Sequence, residues 1–140
     1  MLRRDVLALP FALALAGCGG KKELRCKHCG MKIDPASPWK TELLGADGAV
    51  TTFDTPSCAF TTWRTAPTTA TTLRVQDYYE HQWHAADELR FMVGGDVIGP
   101  MGPDLVPVLP ALATKFIQDH GADRGLKADE ITADFLKNRK

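Results

Sequence analysis

The amino-acid sequence predicts a small α+β fold built from two strand–strand–helix halves of the ββα type. In the first half a hairpin signal precedes a helix-start signal, and the same order of elements returns in the second half. The length of the chain suits one compact domain or two very small ones. The two halves share too little sequence to establish a duplication, so the prediction depends on the order of their elements.

The first half begins with two strands around a turn. Residues 39–44 and 49–53 are predicted strands, and Gly45-Ala46-Asp47-Gly48 between them is a turn signal. Residues 54–57 then predict a helix start, because Asp or Thr can cap a helix and proline fits its first turn. Cys58 lies on the apolar face of this helix.

The second half follows the same plan. Residues 73–78 alternate as a strand, and residues 88–93 form another. A glycine- and proline-rich loop at 94–103 follows them. Pro110 opens a helix with one apolar face, and Gly121 ends it. The second strand–strand–helix unit is therefore expected to be about as long as the first.

The C-terminal segment predicts one more element. Apolar residues recur with helical spacing in residues 128–139, which indicates a final amphipathic helix. We therefore expect a single α+β domain at 26–140. Its halves are expected at about 26–70 and 71–126, followed by the C-terminal helix.

The first residues have the features of a secretion signal for a lipoprotein. Arg3-Arg4 supplies the positive charge, and the apolar run at 6–16 is too short to cross a bilayer of about 30 Å. The run ends in Leu15-Ala16-Gly17-Cys18, which looks like a bacterial lipobox with cleavage before the cysteine. Residues 1–17 are therefore predicted to be a signal peptide, with Cys18 as the lipidation site.

The lipid anchor predicts the location of the protein. Residues 18–25 provide the anchor and a short flexible tether. We expect the domain on the periplasmic side of a bacterial membrane, attached to that membrane through Cys18. Gly19 follows the cysteine where aspartate would direct retention, which favours the outer membrane over the inner one.

The composition argues against several classes of function. The formal net charge is +0 and basic residues form no run, which argues against nucleic acid as a partner. The sequence contains no Ser-His-Asp pattern, no phosphate-binding glycine loop and no HExxH signature. A binding protein is therefore predicted rather than an enzyme.

A compact group of soft donors occupies residues 26–31. Cys26 and Cys29 supply thiols, Met31 a thioether and His28 an imidazole. Thiolate and thioether sulfur favour Cu(I), whereas carboxylate and water oxygens favour Mg²⁺ or Ca²⁺. The segment therefore predicts a soft-metal site, with Cys26 and Cys29 as its main ligands and Met31 and His28 as further candidates.

Two distant sulfur atoms are additional candidates. Met101 lies between Pro100 and Gly102 in a loop that is hard to bury, so its thioether is expected to be exposed or to bind a metal. Cys58 is most simply a buried core thiol, and a third metal ligand is the alternative.

The Cys-x-x-Cys spacing leaves other interpretations open. Structural zinc needs four ligands, of which the sequence spells out only some. A redox dithiol is expected between a strand and a helix, and a plain disulfide between Cys26 and Cys29 would leave Cys58 unpaired. With Cys18 assigned to the lipid, Cys26, Cys29 and Cys58 remain, and reduced thiols protected by a metal fit this odd number better.

The combined motifs resemble the NosL family, the accessory lipoproteins of nitrous oxide reductase gene clusters. The match covers nearly all of the chain after the leader. Its elements are the lipobox at 15–18, Cys26-x-x-Cys29-Gly30-Met31-x-Ile33, Phe53-Asp54-x-x-x-Cys58, Val75-x-Asp77-Tyr78, Trp83 and Pro100-Met101-Gly102.

The resemblance implies a Cu(I) metallochaperone without enzymatic activity. Its expected copper acceptor is nitrous oxide reductase or a maturation factor of that enzyme. The implied ligands are a thiolate of Cys26 or Cys29 and the thioether of Met101. The implied fold is α+β with two ββα-type halves, related to organomercurial lyase.

Two other functions remain open at the level of the sequence. One is an extracytoplasmic thiol-active enzyme, either a disulfide reductase or an organomercurial-lyase-like enzyme. Cleavage of a carbon–mercury bond would need a proton donor beside the thiols, and only Asp34 is near them in sequence. The other is a zinc-stabilised interaction module.

Overall fold

The computed structural model describes residues 19–66 and 69–139. The signal peptide, the lipobox and Cys18 lie outside the described residues, so the expectations about them remain predictions. Within the described ranges, none of the helices is long and apolar enough to cross a membrane. The fold is α+β, as predicted, with antiparallel sheets and few helices.

The first sheet has four antiparallel strands. They are β1 (Thr41–Gly45), β2 (Val50–Phe53), β3 (Ala70–Gln76) and β4 (Trp83–Ala85), in the order β2-β1-β3-β4. The predicted hairpin of β1 and β2 is confirmed, with Thr41 opposite Phe53. Its turn closes through a hydrogen bond from the Gly45 N–H to the Ala49 carbonyl, and Gly48 has the positive φ that this turn requires.

Helix α1 (Pro56–Thr65) follows β2 directly, as predicted. Thr55 caps the helix in an extended conformation, and its hydroxyl accepts the Cys58 N–H at 3.3 Å. Pro56 occupies the start of the helix, where its missing N–H costs nothing. The chain therefore makes a sharp turn from sheet to helix, and this turn brings the end of β2 close to Cys58.

The second half forms a smaller sheet and a separate short hairpin. Antiparallel strands of the sheet have the order β8-β5-β9, while β6 pairs only with β7. The strands are β5 (Arg90–Gly94), β6 (Ile98–Gly99), β7 (Gly102–Pro103), β8 (Val106–Val108) and β9 (Ala122–Leu126).

The strands are divided between the sheets differently from the sequence expectation. The predicted strand at 73–78 corresponds to β3, which pairs with β1 in the first sheet rather than with β5. Five short strands, β4 and β6 to β9, were not predicted, and β6 and β7 form a hairpin inside the segment 94–103 that was predicted as a loop. The two parts share a core, because Phe60 of α1 packs edge-on against Phe91 of β5 with ring centroids 4.9 Å apart.

The remaining helices confirm one prediction and correct another. A 3₁₀ turn at Pro110–Leu112 leads into α2 (Ala113–His120), which ends at Gly121 with the expected positive φ. The single helix predicted over residues 128–139 is wrong in its extent. A 3₁₀ turn at Ala128–Glu130 is followed by α3 (Ala133–Asn138), because Thr132 is extended and caps a new helix.

Candidate metal centre

The first wall of the candidate site is the loop that contains the cysteine pair. The Cys26 N–H donates to the Met31 carbonyl at 2.8 Å, and the Gly30 N–H donates to the Cys26 carbonyl at 2.9 Å. Gly30 has a φ of 76°, which lets the chain reverse within four residues. The loop is fixed to the sheet by a hydrogen bond from the Lys27 N–H to the Thr52 carbonyl. The sequence therefore folds Cys26 inward toward the end of β2.

The second wall is the turn from β2 to α1. This turn buries Asp54 and places Cys58 in the first turn of α1. Thr55 holds the turn closed through its hydroxyl, and the Ala59 N–H donates to the Thr55 carbonyl. One carboxyl group and one thiol thereby face the cysteine loop from the opposite side.

The two walls bring four donor groups together. A ligand atom from each of Cys26, Cys29, Asp54 and Cys58 lies within 4.8 Å of the other three. The Cys29 thiol donates to Asp54 Oδ1 at an S···O distance of 3.6 Å. Cys26, Cys29 and Cys58 are free thiols. Three sulfur atoms and one oxygen atom at these distances are a donor set for a soft metal ion.

Burial and hydrogen bonding support a binding role for this cluster. Only 3% of Cys26, 4% of Asp54 and 7% of Cys58 is exposed. Asp54 Oδ2 is buried without a hydrogen-bond partner. A buried polar atom without a partner costs about 1–3 kcal/mol, so a native structure that keeps one calls for an explanation. A bound metal ion would supply the missing partner.

Burial also controls the protonation of the two inner thiols. It raises the pKa of the Cys26 thiol above its ordinary value, while the backbone N–H groups of Cys29, Asp54 and His28 partly offset the effect. Burial likewise raises the pKa of the Cys58 thiol, and the neighbouring Cys26 and Asp54 add to the increase. Both inner thiols therefore keep their protons at neutral pH until something displaces them.

The two candidate methionines lie nearer the surface than the inner thiols. Met31 is 42% exposed and Met101 is 54% exposed. Met31, Asp54 and Pro100 line one small cavity of about 140 Å³. Pro100 precedes Met101, so the loop that carries Met101 approaches the cluster on the Asp54 side, and the cavity connects the buried carboxyl group with Met31.

His28 lies outside the cluster. Its side chain is exposed, and Nδ1 lies 3.3 Å from the hydroxyl of Thr62 on the outer part of α1. His28 therefore contacts the helix beside the site. Asp34, the acid nearest to the cysteines in sequence, is also exposed and accepts the Ala36 N–H.

The structure thus brings together three of the predicted residues and adds one. Cys26, Cys29 and Cys58 meet in one cluster, whereas Met31 lies at the cavity beside it. Asp54 was not predicted as a donor, although it stands four residues before Cys58 in the motif that carried the family resemblance. The sequence did contain a signal for Asp54, because this acidic residue lies between the buried end of a strand and the residue that caps the helix.

The fold and the donor set define a class: a small α+β domain with a candidate soft-metal site between a cysteine loop and a helix start. Residues 20–136 match the family model of NosL. The chain belongs to the NosL family.

A solved structure has a similar fold. The crystal structure of the copper chaperone NosL from Shewanella denitrificans matches with a TM-score of 0.67 and 22% sequence identity, covering 78% of this chain and 90% of the other. A search of curated proteins gave no match. The structural match confirms the predicted α+β fold.

Proposed function

We propose that this protein is a Cu(I) metallochaperone that delivers copper for the assembly of the copper centres of nitrous oxide reductase. The observation that carries the proposal is a cluster of three free thiols, two of them buried, beside a buried carboxyl group whose Oδ2 has no hydrogen-bond partner. Further support comes from membership of the NosL family and from the structural neighbour, which is described as a copper chaperone.

The donor set favours a soft monovalent ion as the cargo. Cu(I) prefers thiolate and thioether sulfur, and two or three sulfur ligands satisfy it. We assign its binding to the thiolates of Cys26, Cys29 and Cys58. Asp54 lies beside them and can accept or release a proton as copper enters, because Cys29 already donates to its carboxyl group.

The exposed thioethers suit delivery better than storage. A chaperone must bind its cargo tightly and still release it through a ligand shared with the acceptor. A neutral thioether is a weaker ligand than a thiolate, so Met101 is suited to bind copper while a thiolate is exchanged. Met31 lines the cavity beside Asp54 and is a second candidate for this role.

The sequence motifs and the family resemblance support the location and partner that we propose. The lipobox at 15–18 supports anchoring through a lipid on Cys18. We place the domain on the periplasmic side of the membrane, with the outer membrane favoured. The copper acceptor in this proposal is nitrous oxide reductase or one of its maturation factors.

An anaerobic competition titration tests the proposal. The reduced full chain in detergent would be titrated with Cu(I) against a chromophoric chelator, with Zn²⁺ loading measured in parallel. We expect one Cu(I) per chain with a dissociation constant below a nanomolar, which is about −12 kcal/mol of binding free energy. Stoichiometric Zn²⁺ binding together with weak Cu(I) binding would contradict the proposal and favour a zinc-stabilised module.

One observation also favours the thiol-active enzyme as a second candidate. Asp54 Oδ1 accepts the Cys29 thiol at an S···O distance of 3.6 Å, so a carboxyl group that can take up and pass on a proton lies beside the thiols. In carbon–mercury cleavage, two thiolates would bind the mercury, and the protonated Asp54 carboxyl group would give its proton to the carbon. The C–Hg bond would break as the C–H bond forms, so that the hydrocarbon leaves and Hg(II) stays on the thiolates. Release of methane from methylmercury by the reduced protein would support this function. If no methane is released, carbon–mercury cleavage is excluded and copper binding stands as the proposed function.

A further inference from the structure

The segment that carries Met101 has little structure of its own. Met101 lies in the two-residue connection of the β6–β7 hairpin, in which Ile98 pairs with Pro103 and Gly99 pairs with Gly102. Strands of two residues cannot hold a fixed orientation by themselves. The position of the Met101 side chain must therefore depend on contacts that the hairpin makes with the rest of the domain.

One residue directly after the hairpin makes a concentrated set of such contacts. Asp104 Oδ1 accepts the Ser57 N–H at 3.0 Å and the Ser57 hydroxyl at 2.7 Å. The same oxygen accepts the N–H of Leu105 at 2.7 Å. Asp104 is thus bonded to a residue that lies 47 positions earlier in the chain.

The partner of Asp104 is the residue next to a thiol of the candidate metal centre. Ser57 precedes Cys58 in the first turn of α1, where backbone N–H groups lack partners within the helix. The Asp104 carboxyl group satisfies one of them and lies at the end of the helix where negative charge is stabilising. The contact therefore links the base of the Met101 hairpin to the helix turn that holds a cluster thiol.

Close packing and a second bond restrict the other side of the hairpin. A Cβ on Gly99 would lie 3.2 Å from the Asp104 Cβ and 3.5 Å from the Trp39 ring, so the strand approaches both side chains closely. Arg139 donates to the Pro103 carbonyl at 2.8 Å. Asp104 is the contact in this set that reaches the start of α1, next to Cys58.

We infer that Asp104 is a positioning residue, which holds the Met101 thioether at the copper site by bonding the hairpin to the start of α1. The inference rests on the proposed function and specifies how the exposed ligand is placed. A ligand already held in its binding position loses less freedom when the metal arrives. Loss of the Asp104 bonds would leave the Met101 side chain intact but would release its hairpin from the start of α1.

A double-mutant cycle in Cu(I) affinity tests this inference. The variants are Asp104→Ala, Met101→Leu and the double variant. We expect each single variant to weaken Cu(I) binding about tenfold, the lower end of the effect of residues that orient metal ligands. We expect the double variant to bind no more weakly than Met101→Leu alone, because Asp104 acts through Met101.

Three controls separate positioning from general damage. Asp104→Asn keeps an acceptor oxygen and should bind Cu(I) within about threefold of the natural sequence, in keeping with retained neutral hydrogen bonds. Ser57→Ala removes only the hydroxyl bond and should have an intermediate effect. Asp96→Ala removes another loop aspartate, bonded to His120 Nδ1 at 2.9 Å, and should leave the affinity unchanged.

The outcomes distinguish this inference from the proposed function. Additive losses in the double variant, or an unchanged affinity of folded Asp104→Ala, would overturn the positioning role while copper binding stood. An unchanged affinity of Met101→Leu would also overturn it. Failure of the natural sequence to bind Cu(I) would instead overturn the proposed function. Circular dichroism of Ser57→Ala and Asp104→Asn shows whether the fold is retained.

Discussion

The thiol cluster and the Met101 hairpin present sulfur in opposite surroundings. The cluster thiols of Cys26 and Cys58 are buried between a hydrogen-bonded loop and a capped helix. Met101 is more than half exposed on a hairpin of two-residue strands. In the proposed function the two regions have different roles: the buried thiolates determine the copper affinity, and the exposed thioether allows ligand exchange.

The largest expected effect follows from removing a thiol of the cluster. Cys58→Ser and Cys26→Ser each replace a soft thiolate by a hydroxyl and should weaken Cu(I) binding more than about 100-fold, because loss of residues that merely support metal ligands already costs 10–100-fold. Competition titration measures the loss. Ala59→Ser places a hydroxyl at the next buried position of α1 and is the matched control, with no change in affinity expected.

The pH dependence of binding distinguishes the two regions. Burial raises the pKa of Cys26 and of Cys58, so both thiols are protonated in the metal-free protein at neutral pH. Copper must displace these protons, and affinity should therefore fall as pH falls, by about tenfold per pH unit for each thiol. The contribution of Met101 should be the same at every pH, because a thioether does not titrate. A pH-independent affinity would contradict the assignment of these thiols.

Asp54→Asn should separate binding from stability. The neutral amide is easier to bury than a carboxyl group with an unpartnered oxygen, so we expect the metal-free variant to be more stable by about 1 kcal/mol. Cu(I) binding should weaken between about tenfold and 100-fold. Thermal unfolding and competition titration measure the two effects.

Asp34→Asn is the matched control for Asp54→Asn, because Asp34 is an exposed acid that lines the same cavity as Asp54. It should change neither the stability of the metal-free protein nor its Cu(I) affinity. A less stable Asp54→Asn protein with unchanged copper affinity would show that the carboxyl group serves the fold alone.

The smallest effect is expected at the exposed methionine. Met101→Leu should weaken Cu(I) binding about tenfold, a free-energy change of about 1.4 kcal/mol, while leaving the unfolding temperature unchanged. Met92→Leu is the matched control, since Met92 is fully buried in the second core cluster. That control should lower stability by less than about 1.5 kcal/mol and leave copper affinity unchanged. Equal affinities of the two variants would remove Met101 from the site.

The sequence predicted the elements whose signals are local. The β1–β2 hairpin and the capped start of α1 have turn and cap residues at fixed positions, and the structure confirms both. Strands β8 and β9 have three and five residues and lack strong alternation, so their pairing with β5 depends on tertiary contacts. Thr132 capped a new helix where the apolar spacing alone suggested a continuous one.

The candidate site was predictable only where its signal is local in the sequence. Cys26 and Cys29 are neighbours in sequence, and their spacing indicates a metal loop. Cys58 reaches the cluster only because α1 starts immediately after β2. The sequence predicts this turn but does not give the distance between Cys58 and the cysteine loop. Asp54 was missed because a buried carboxyl group is recognisable as a metal donor only once the three-dimensional positions of the neighbouring thiols are known.

The number of sulfur atoms around bound copper tests the central claim most directly. X-ray absorption at the copper K edge of the Cu(I)-loaded full chain would count them. The thiol cluster predicts at least three sulfur ligands, with one lost in Cys58→Ser. A shell of two sulfur atoms that is unchanged in Cys58→Ser would contradict the three-thiolate site.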